Sequence, residues 1–243
     1  MEGLEPLNGV DPLDELGRHP DGRQVAMRTG WDAEGRGERA AVWDTRTGKI
    51  TWAPEGAVAI AWLRGGSELL VVIDETLHRL TWPEKEPLAA CEVPRRGGEG
   101  WIDRIVVDRQ DRLAAVRWLD QTEAGFELVD LRGRGTKHLK RSGYRVAGTN
   151  LLDGPVFSPT GRFLVSTEGI DEWWTEGSRA GRVTIFDTRD SSTRHADVEL
   201  DVPAGWEPGT MEAQAGLIGV PTFVNARAFV LKLPTGEKRR YTT

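Results

Sequence analysis

The chain has 243 residues, of which 38% are hydrophobic and 29% charged, and its formal net charge is −6. The negative charge argues against a nucleic-acid partner, which needs a basic face, and no apolar run approaches the roughly 20 residues of a membrane-spanning helix. One cysteine, Cys91, excludes an intrachain disulfide, and the acidic N-terminus lacks the form of a signal peptide, so we expect a cytoplasmic protein without a membrane partner.

A short polar turn followed by apolar, strand-length segments recurs along the chain, starting near residue 12. The turns begin near residues 19, 64, 108, 158 and 224, and the first spacings fit the roughly 40–45 residues of a four-stranded unit. Pro-Asp-Gly and Pro-Thr-Gly sequences favour such turns because Pro presets φ and Gly accepts positive φ. The apolar segments after the turns cover 24–27 and 40–45, 69–73 and 77–82, 113–116 and 126–131, 162–166 and 183–188, and 228–231. The fifth copy is partial.

Two copies carry a resemblance to a known superfamily. The fourth reads Phe157-Ser158-Pro159-Thr160-Gly161-Arg162 and later Val183-Thr184-Ile185-Phe186-Asp187-Thr188; the first reads His19-Pro20-Asp21-Gly22 and later Val42-Trp43-Asp44-Thr45. These residues resemble the WD40-like and TolB-like β-propeller repeats. The resemblance implies an all-β fold, a single small β-propeller of about five four-stranded blades. A β-sandwich, the alternative for many short strands, would not explain the recurring register.

The expected organisation is an N-terminal segment, residues 1–11, followed by the propeller domain, residues 12–243. The last copy supplies three strands, so residues 4–10 are predicted to add the fourth and close the ring. An open ring would instead expose strand edges and favour dimers. The chain is therefore expected to be a monomer or a homodimer.

Ten tryptophans are unevenly placed along the repeats. In the propellers that the chain resembles, the loops between second and third strands and those between blades share one face. That topology assigns six tryptophans to one rim with acidic neighbours; the candidate binding residues are Trp31, Asp32, Trp101, Trp118, Glu172, Trp173, Trp174 and Trp206. Trp offers a large rigid contact and attracts cations, so a basic protein or peptide is the expected partner. The alternative is that each ring packs between blades, as we expect of Trp43 and Trp62 in their strands.

No catalytic or metal-binding motif is found. The four histidines, at 19, 78, 138 and 195, have no zinc-type spacing, and neither a phosphate-binding loop nor a serine elbow occurs. No cofactor is predicted. Asp44, Asp130 and Asp187, at the ends of third strands, are expected to accept hydrogen bonds from the turns that follow.

The sequence therefore predicts a non-catalytic interaction scaffold. The alternative is a propeller that binds a small molecule or carbohydrate, and that is a hydrolase if two carboxylates meet in the central funnel at the right separation. A third hypothesis is that the chain is a subunit of a larger assembly and has no ligand of its own.

Overall fold

Apolar segments separated by polar turns produce strands throughout the part of the chain that the structure describes. This structure is a computed structural model, and it describes residues 12–29, 39–93, 101–119, 123–132, 137–145, 155–169, 180–190, 192–199, 221–232 and 237–243. These residues form nineteen strands and the turns between them. No helix long and apolar enough to cross a membrane occurs in the same ranges.

The first two sheets have four antiparallel strands each, in chain order. Sheet 1 contains β1 (Pro12–Arg18), β2 (Gln24–Thr29), β3 (Arg39–Asp44) and β4 (Lys49–Trp52). Sheet 2 contains β5 (Ala57–Trp62), β6 (Glu68–Ile73), β7 (Thr76–Thr81) and β8 (Pro87–Glu92).

Three further sheets follow, and each keeps its strands in chain order. Sheet 3 contains β9 (Trp101–Val107), β10 (Leu113–Leu119), β11 (Glu123–Asp130) and β12 (Lys137–Arg145). Sheet 4 contains β13 (Val156–Phe157), β14 (Phe163–Gly169), β15 (Ala180–Asp187) and β16 (Thr193–Glu199). Sheet 5 has three strands, β17 (Thr222–Asn225), β18 (Ala228–Lys232) and β19 (Lys238–Thr242).

One backbone hydrogen bond recurs in all five sheets. In each sheet, the residue that follows the third strand donates its N–H to the carbonyl of the residue that precedes the second strand. This bond holds the end of the third strand against the turn between the first two strands. The pairs, with N···O distances of 2.7–2.8 Å, are Thr45 to Arg23, Trp82 to Ser67, Leu131 to Arg112, Thr188 to Arg162 and Thr243 to Arg227. We call the end of each sheet that holds these turns the turn edge, and the opposite end the loop edge.

The chain divides into two compact units, each with its own buried core. Unit 1 consists of Met1–Val107, Asp111–Trp118 and Glu127–Leu139; unit 2 consists of Asp108–Gln110, Leu119–Phe126 and Lys140–Thr243. In unit 1 one apolar cluster joins residues of sheets 1 and 2, and another joins residues of sheets 2 and 3. In unit 2 a cluster joins Val165 and Val183 of sheet 4 to Phe229 and Leu231 of sheet 5.

Most predicted turns and strands are confirmed. Each predicted turn separates the first two strands of a sheet, and Trp43 and Trp62 are buried in strands at 3% and 9% exposure. The fifth sheet has three strands, as expected. The N-terminal segment, residues 1–11, lies outside the described residues, so the blade count and ring closure stay predictions.

Candidate functional site

A cavity of about 490 Å³ opens at the turn edge of sheets 1 and 2, within unit 1. Two turns form most of its wall, the one between β1 and β2 and the one between β5 and β6. The end of β3 and the residues after β7 complete it. We call it the turn cavity; its lining residues are His19, Asp21, Arg23, Gln24, Asp44, Gly65, Gly66, Ser67, Trp82 and Pro83.

His19 joins the two turns. Its Nε2 lies 3.0 Å from the carbonyl oxygen of Gly66, and because a carbonyl only accepts, Nε2 carries a proton. Its Nδ1 lies 3.2 Å from the Asp21 amide nitrogen and 2.6 Å from Asp21 Oδ1. The ring also stands edge-on to the indole of Trp62, with 4.8 Å between centroids. These contacts hold the imidazole in one orientation at the cavity wall.

Two carboxylates face the turn cavity, and both are held ionised by backbone amides. The Arg23 amide donates to Asp21 Oδ1 at 2.8 Å, and this bond, with His19 beside it, lowers the pKa of Asp21 below its ordinary 3.8. The amides of Thr47 and Arg46 donate to Asp44 Oδ1 at 2.8 and 2.9 Å, which lowers the pKa of Asp44 in the same way. At neutral pH both side chains are therefore negatively charged.

Trp82 supplies the apolar part of the wall. Its Nε1 donates to Gln24 Oε1 at 2.8 Å, which ties sheet 2 to sheet 1 at the cavity. Its ring packs against Trp62 and Trp52, with centroids 5.1 and 5.8 Å away, and Lys85 Nζ lies 5.0 Å from the ring centroid. Trp82 itself is 9% exposed, so packing and hydrogen bonding fix the indole.

The repeat explains why Trp82 stands here. In sheets 1 and 4 an Asp-Thr pair ends the third strand, and the Thr hydroxyl bonds two carbonyls of the preceding turn, as Thr45 does to Gly22 and Arg23. In sheet 2 Thr81 takes the Asp position, where its Oγ1 accepts the Glu86 amide, and Trp82 takes the Thr position. A bulky indole thus replaces a hydroxyl at the turn edge.

Most of the tryptophan rim predicted from the sequence falls outside the described residues; this applies to Trp31, Asp32, Glu172, Trp173, Trp174 and Trp206. Trp101 begins β9, so it is a strand residue, whereas the repeat placed it in the loop between blades. Trp118 lies one residue before the end of β10, the second strand of its sheet, but it is 1% exposed and packs in a core cluster. Its assignment to an exposed rim was therefore wrong, since its face of β10 is apolar and covered.

The strand-end aspartates behave as predicted. Asp44, Asp130 and Asp187 each accept a backbone amide of the following turn, from Arg46, Arg132 and Arg189 respectively, at 2.9–3.0 Å. Asp187 adds a side-chain contact, because both Nε and Nη2 of Arg162 donate to its Oδ2. These carboxylates shape turns, and only Asp44 among them also lines the turn cavity.

Ser67, His19 and Asp21 share the turn cavity, but their geometry is not that of a catalytic triad. A triad needs the histidine nitrogen remote from the carboxylate to accept the serine proton. Here that nitrogen, Nε2, donates to Gly66 O. Nor do the described ranges contain a group of three or more His, Cys, Asp or Glu side chains that could hold a metal ion. The wall is equipped to bind a polar ligand by hydrogen bonds and charge.

No protein-family model and no curated protein matches the chain. Solved β-propeller structures do. The Cps50 (Swd1) β-propeller domain of Myceliophteria thermophila is 13% identical with a TM-score of 0.50, over 96% of this chain and 67% of that one. The C-terminal WD40 domain of Sif2 is 12% identical with a TM-score of 0.53, over 94% of this chain and 55% of that one.

TolB from Acinetobacter baumannii is similar as well, at 14% identity and a TM-score of 0.50, over 79% of this chain and 44% of TolB. The chain thus spans about half the length of the Sif2 domain and of TolB. Identities this low extend the likeness to fold alone. In fold, the chain resembles the WD40 and TolB β-propellers, as its repeats predicted.

Proposed function

We propose that this chain is a non-catalytic protein- or peptide-binding module that uses the loop edge of its sheets. The observation that carries the proposal is the length of sequence between successive strands. The ladder between β2 and β3 runs to the pair Thr29 and Arg39, and the ladder between β14 and β15 runs to Gly169 and Gly181. Residues 30–38 separate β2 from β3, and residues 170–179 separate β14 from β15.

A comparison within the chain supports this argument. The hairpin between β6 and β7 closes over two residues, Asp74 and Glu75, both with positive φ, so this repeat can turn with the shortest loop. The connections 30–38 and 170–179 are several times longer. Long connections on a rigid scaffold are where binding residues concentrate.

The composition of those connections indicates the partner. They contain Trp31 and Asp32 in one case, and Glu172, Trp173 and Trp174 in the other. Indoles provide a contact surface that attracts cations, and carboxylates beside them favour Lys and Arg. The partner is therefore proposed to be a protein or peptide with a basic segment.

The fold supports a binding role of this kind. WD40 propellers often act as protein-interaction scaffolds. In the set formed by Ser67, His19 and Asp21 the histidine is bonded to a carbonyl, which favours binding over nucleophilic catalysis. We also propose that the protein is cytoplasmic, and cell fractionation would test this location.

The proposal is tested by removing the two adjacent indoles. The variant Trp173→Ala/Trp174→Ala is expected to lose partner capture from the native host while its melting temperature stays within about 2 °C of the parent. Arg46→Ala, an exposed substitution at the turn edge, is the matched control and should retain capture. A large fall in melting temperature, or unchanged capture by the double variant, would reject the loop edge as the interface.

A further inference from the structure

We propose that the turn cavity is a second binding site, separate from the loop edge, and that it takes a guanidinium group. The ligand is an arginine side chain of a peptide or a free guanidinium compound. The site does not depend on the function proposed for the loop edge, because none of the loop-edge residues lines it.

The size and make-up of the turn cavity suit a small ligand. Its volume of about 490 Å³ falls within the roughly 300–1,000 Å³ that is typical of ligand pockets. Trp82 and Pro83 give it an apolar wall, and Gln24 with two carboxylates gives it polar groups at separate points. Fixed polar groups on an apolar background orient a ligand.

The charges at the wall favour a cation. Asp21 and Asp44 each contribute a negative charge, and Arg23 contributes a positive one, so the fixed charges leave one net negative charge. His19 faces the same space, but its two ring nitrogens are already engaged, Nε2 by Gly66 O and Nδ1 by Asp21, so the imidazole offers no free acceptor there. A cation that enters would meet two carboxylates and be repelled by one guanidinium.

The arrangement of acceptors favours a guanidinium over an ammonium ion. Asp21 lies in the turn between β1 and β2 and Asp44 ends β3, so their carboxylates approach the cavity from different segments. Gln24 Oε1 accepts from Trp82 Nε1 and has a second lone pair. A guanidinium presents five donors in a rigid plane, which can reach acceptors at several points, whereas an ammonium ion acts as a compact point charge.

The ligand's source is distinguished by the choice of probe. N-acetyl-arginine methylamide mimics a peptide arginine, and agmatine carries the same group without a peptide backbone. N-acetyl-lysine methylamide tests the preference for guanidinium, and N-acetyl-glutamate methylamide tests the opposite charge. Tighter binding of the arginine amide than of agmatine would indicate a peptide; equal binding would indicate a free guanidinium compound.

Binding is measured through the indole N–H of Trp82 in the full chain labelled with ¹⁵N-tryptophan. That N–H lies at the cavity wall, and its hydrogen bond to Gln24 makes its chemical shift sensitive to a ligand. Its resonance is assigned as the one missing in Trp82→Phe. The two guanidinium probes are expected to shift it in a saturable manner, the lysine amide more weakly, and the glutamate amide not at all.

Variants that each remove one charge test whether binding weakens or strengthens as the proposal requires. Asp21→Asn and Asp44→Asn keep the Oδ1 acceptor that orders each turn, so they remove charge without removing the turn contacts. Each should weaken guanidinium binding about three- to five-fold, the range of an exposed charge pair. Arg23→Ala keeps the backbone amide that bonds Asp21, and should strengthen binding about two- to three-fold by removing repulsion.

Asp190→Asn is the matched control. Asp190 is exposed and accepts the Ser192 amide at 2.7 Å in the same kind of turn contact, but it does not line the turn cavity. Its substitution should leave guanidinium binding unchanged. The proposal is overturned if neither guanidinium probe shifts the Trp82 resonance, if Asp21→Asn and Asp44→Asn bind as the parent does, or if the glutamate amide binds and Arg23→Ala abolishes that binding.

Discussion

Asp44 and Asp187 end equivalent third strands, yet their surroundings give them different importance for stability. Both accept amides of the following turn, but Asp187 is 5% exposed and also receives two hydrogen bonds from Arg162. Asp44 is partly exposed, and it accepts two backbone amides. A buried, charge-assisted contact costs more to break than a contact open to water.

Substituting Asp187 should therefore destabilise the chain. Asp187→Ala leaves the Arg162 guanidinium without this partner and the Arg189 amide without its acceptor, and we expect a loss of about 2–3 kcal/mol in unfolding free energy. Asp44→Asn, which keeps the acceptor oxygen, should change it much less. Urea unfolding followed by circular dichroism measures both. Equal losses would contradict the difference in burial.

Asp21 and Asp44 should also contribute a pH-dependent part of the stability. Because turn amides lower the pKa of each below 3.8, the folded chain favours their ionised form. This contribution is fully present above the unfolded-state pKa and is lost as pH falls through the lower, folded-state pKa.

The measurement is the melting temperature of the parent and of Asp21→Asn/Asp44→Asn between pH 6 and pH 2. The parent's advantage at pH 6 should shrink toward pH 2, since the variant cannot titrate at these positions. A difference that stays constant across the range would show that neither carboxylate is coupled to folding.

At the scale of turns and strands, the periodic part of the fold could be predicted. The turns of sheets 1, 2 and 4 occur in the sequence as Pro- or Gly-containing signals between apolar segments, and an aspartate ends the third strand of sheets 1, 3 and 4. The turn cavity could not be predicted this way. It joins residues 19–24, 44, 65–67 and 82–83, and only the pairing of strands and packing of two sheets bring these together.

The burial of Trp118 could have been predicted from the alternation of residues along its strand. Ala114, Val116 and Trp118 alternate along β10, and all three are buried in one cluster. Strand periodicity thus assigns Trp118 to a core face, and its position near a strand end was the weaker signal. Trp82 had a signal as well, because Thr81-Trp82 departs from the Asp-Thr pair of sheets 1 and 4.

Two turn glycines allow a controlled test of how sheets 1 and 2 meet. Gly22 and Gly66 both have φ of +73°, but a Cβ on Gly22 would meet nothing within 4 Å, whereas one on Gly66 would lie 2.5 Å from His19 Nε2. Gly22→Ala therefore costs only the left-handed backbone strain, about 1 kcal/mol. Gly66→Ala should cost at least about 1 kcal/mol more, because it displaces the imidazole.

A double-mutant cycle isolates the extra cost of Gly66→Ala, the part that comes from displacing the imidazole of His19. In a His19→Ala background the Cβ at position 66 no longer meets the imidazole and keeps its contact with Pro20 Cδ at 3.2 Å, so Gly66→Ala should cost less than it does beside His19. Urea unfolding of the single and double variants provides the comparison. If Gly66→Ala costs the same with and without His19, the contact between the two turns does not hold these sheets in place.

At the scale of the whole molecule, the outer strands carry residues that oppose edge-to-edge pairing. Ile50 on β4 and Leu88 on β8 are 41% and 45% exposed, and each lies on a strand that ends its sheet among the described residues. Lys49 precedes Ile50, and β8 begins with Pro87 and ends with Glu92. Charged residues and proline on an outer strand oppose edge-to-edge pairing, since they leave a charge unpaired or a donor missing.

We therefore expect a monomer near 26.9 kDa by light scattering at micromolar concentration in reducing buffer, which prevents crosslinking through Cys91. Pro87→Val/Glu92→Val restores a donor and removes a charge on β8, so this variant should associate as concentration rises. Glu84→Val makes the same exposed charge-to-valine change outside the strand and should stay monomeric. A parent chain at twice the monomer mass, or a Pro87/Glu92 variant that remains monomeric, would mean that these residues do not protect the edge.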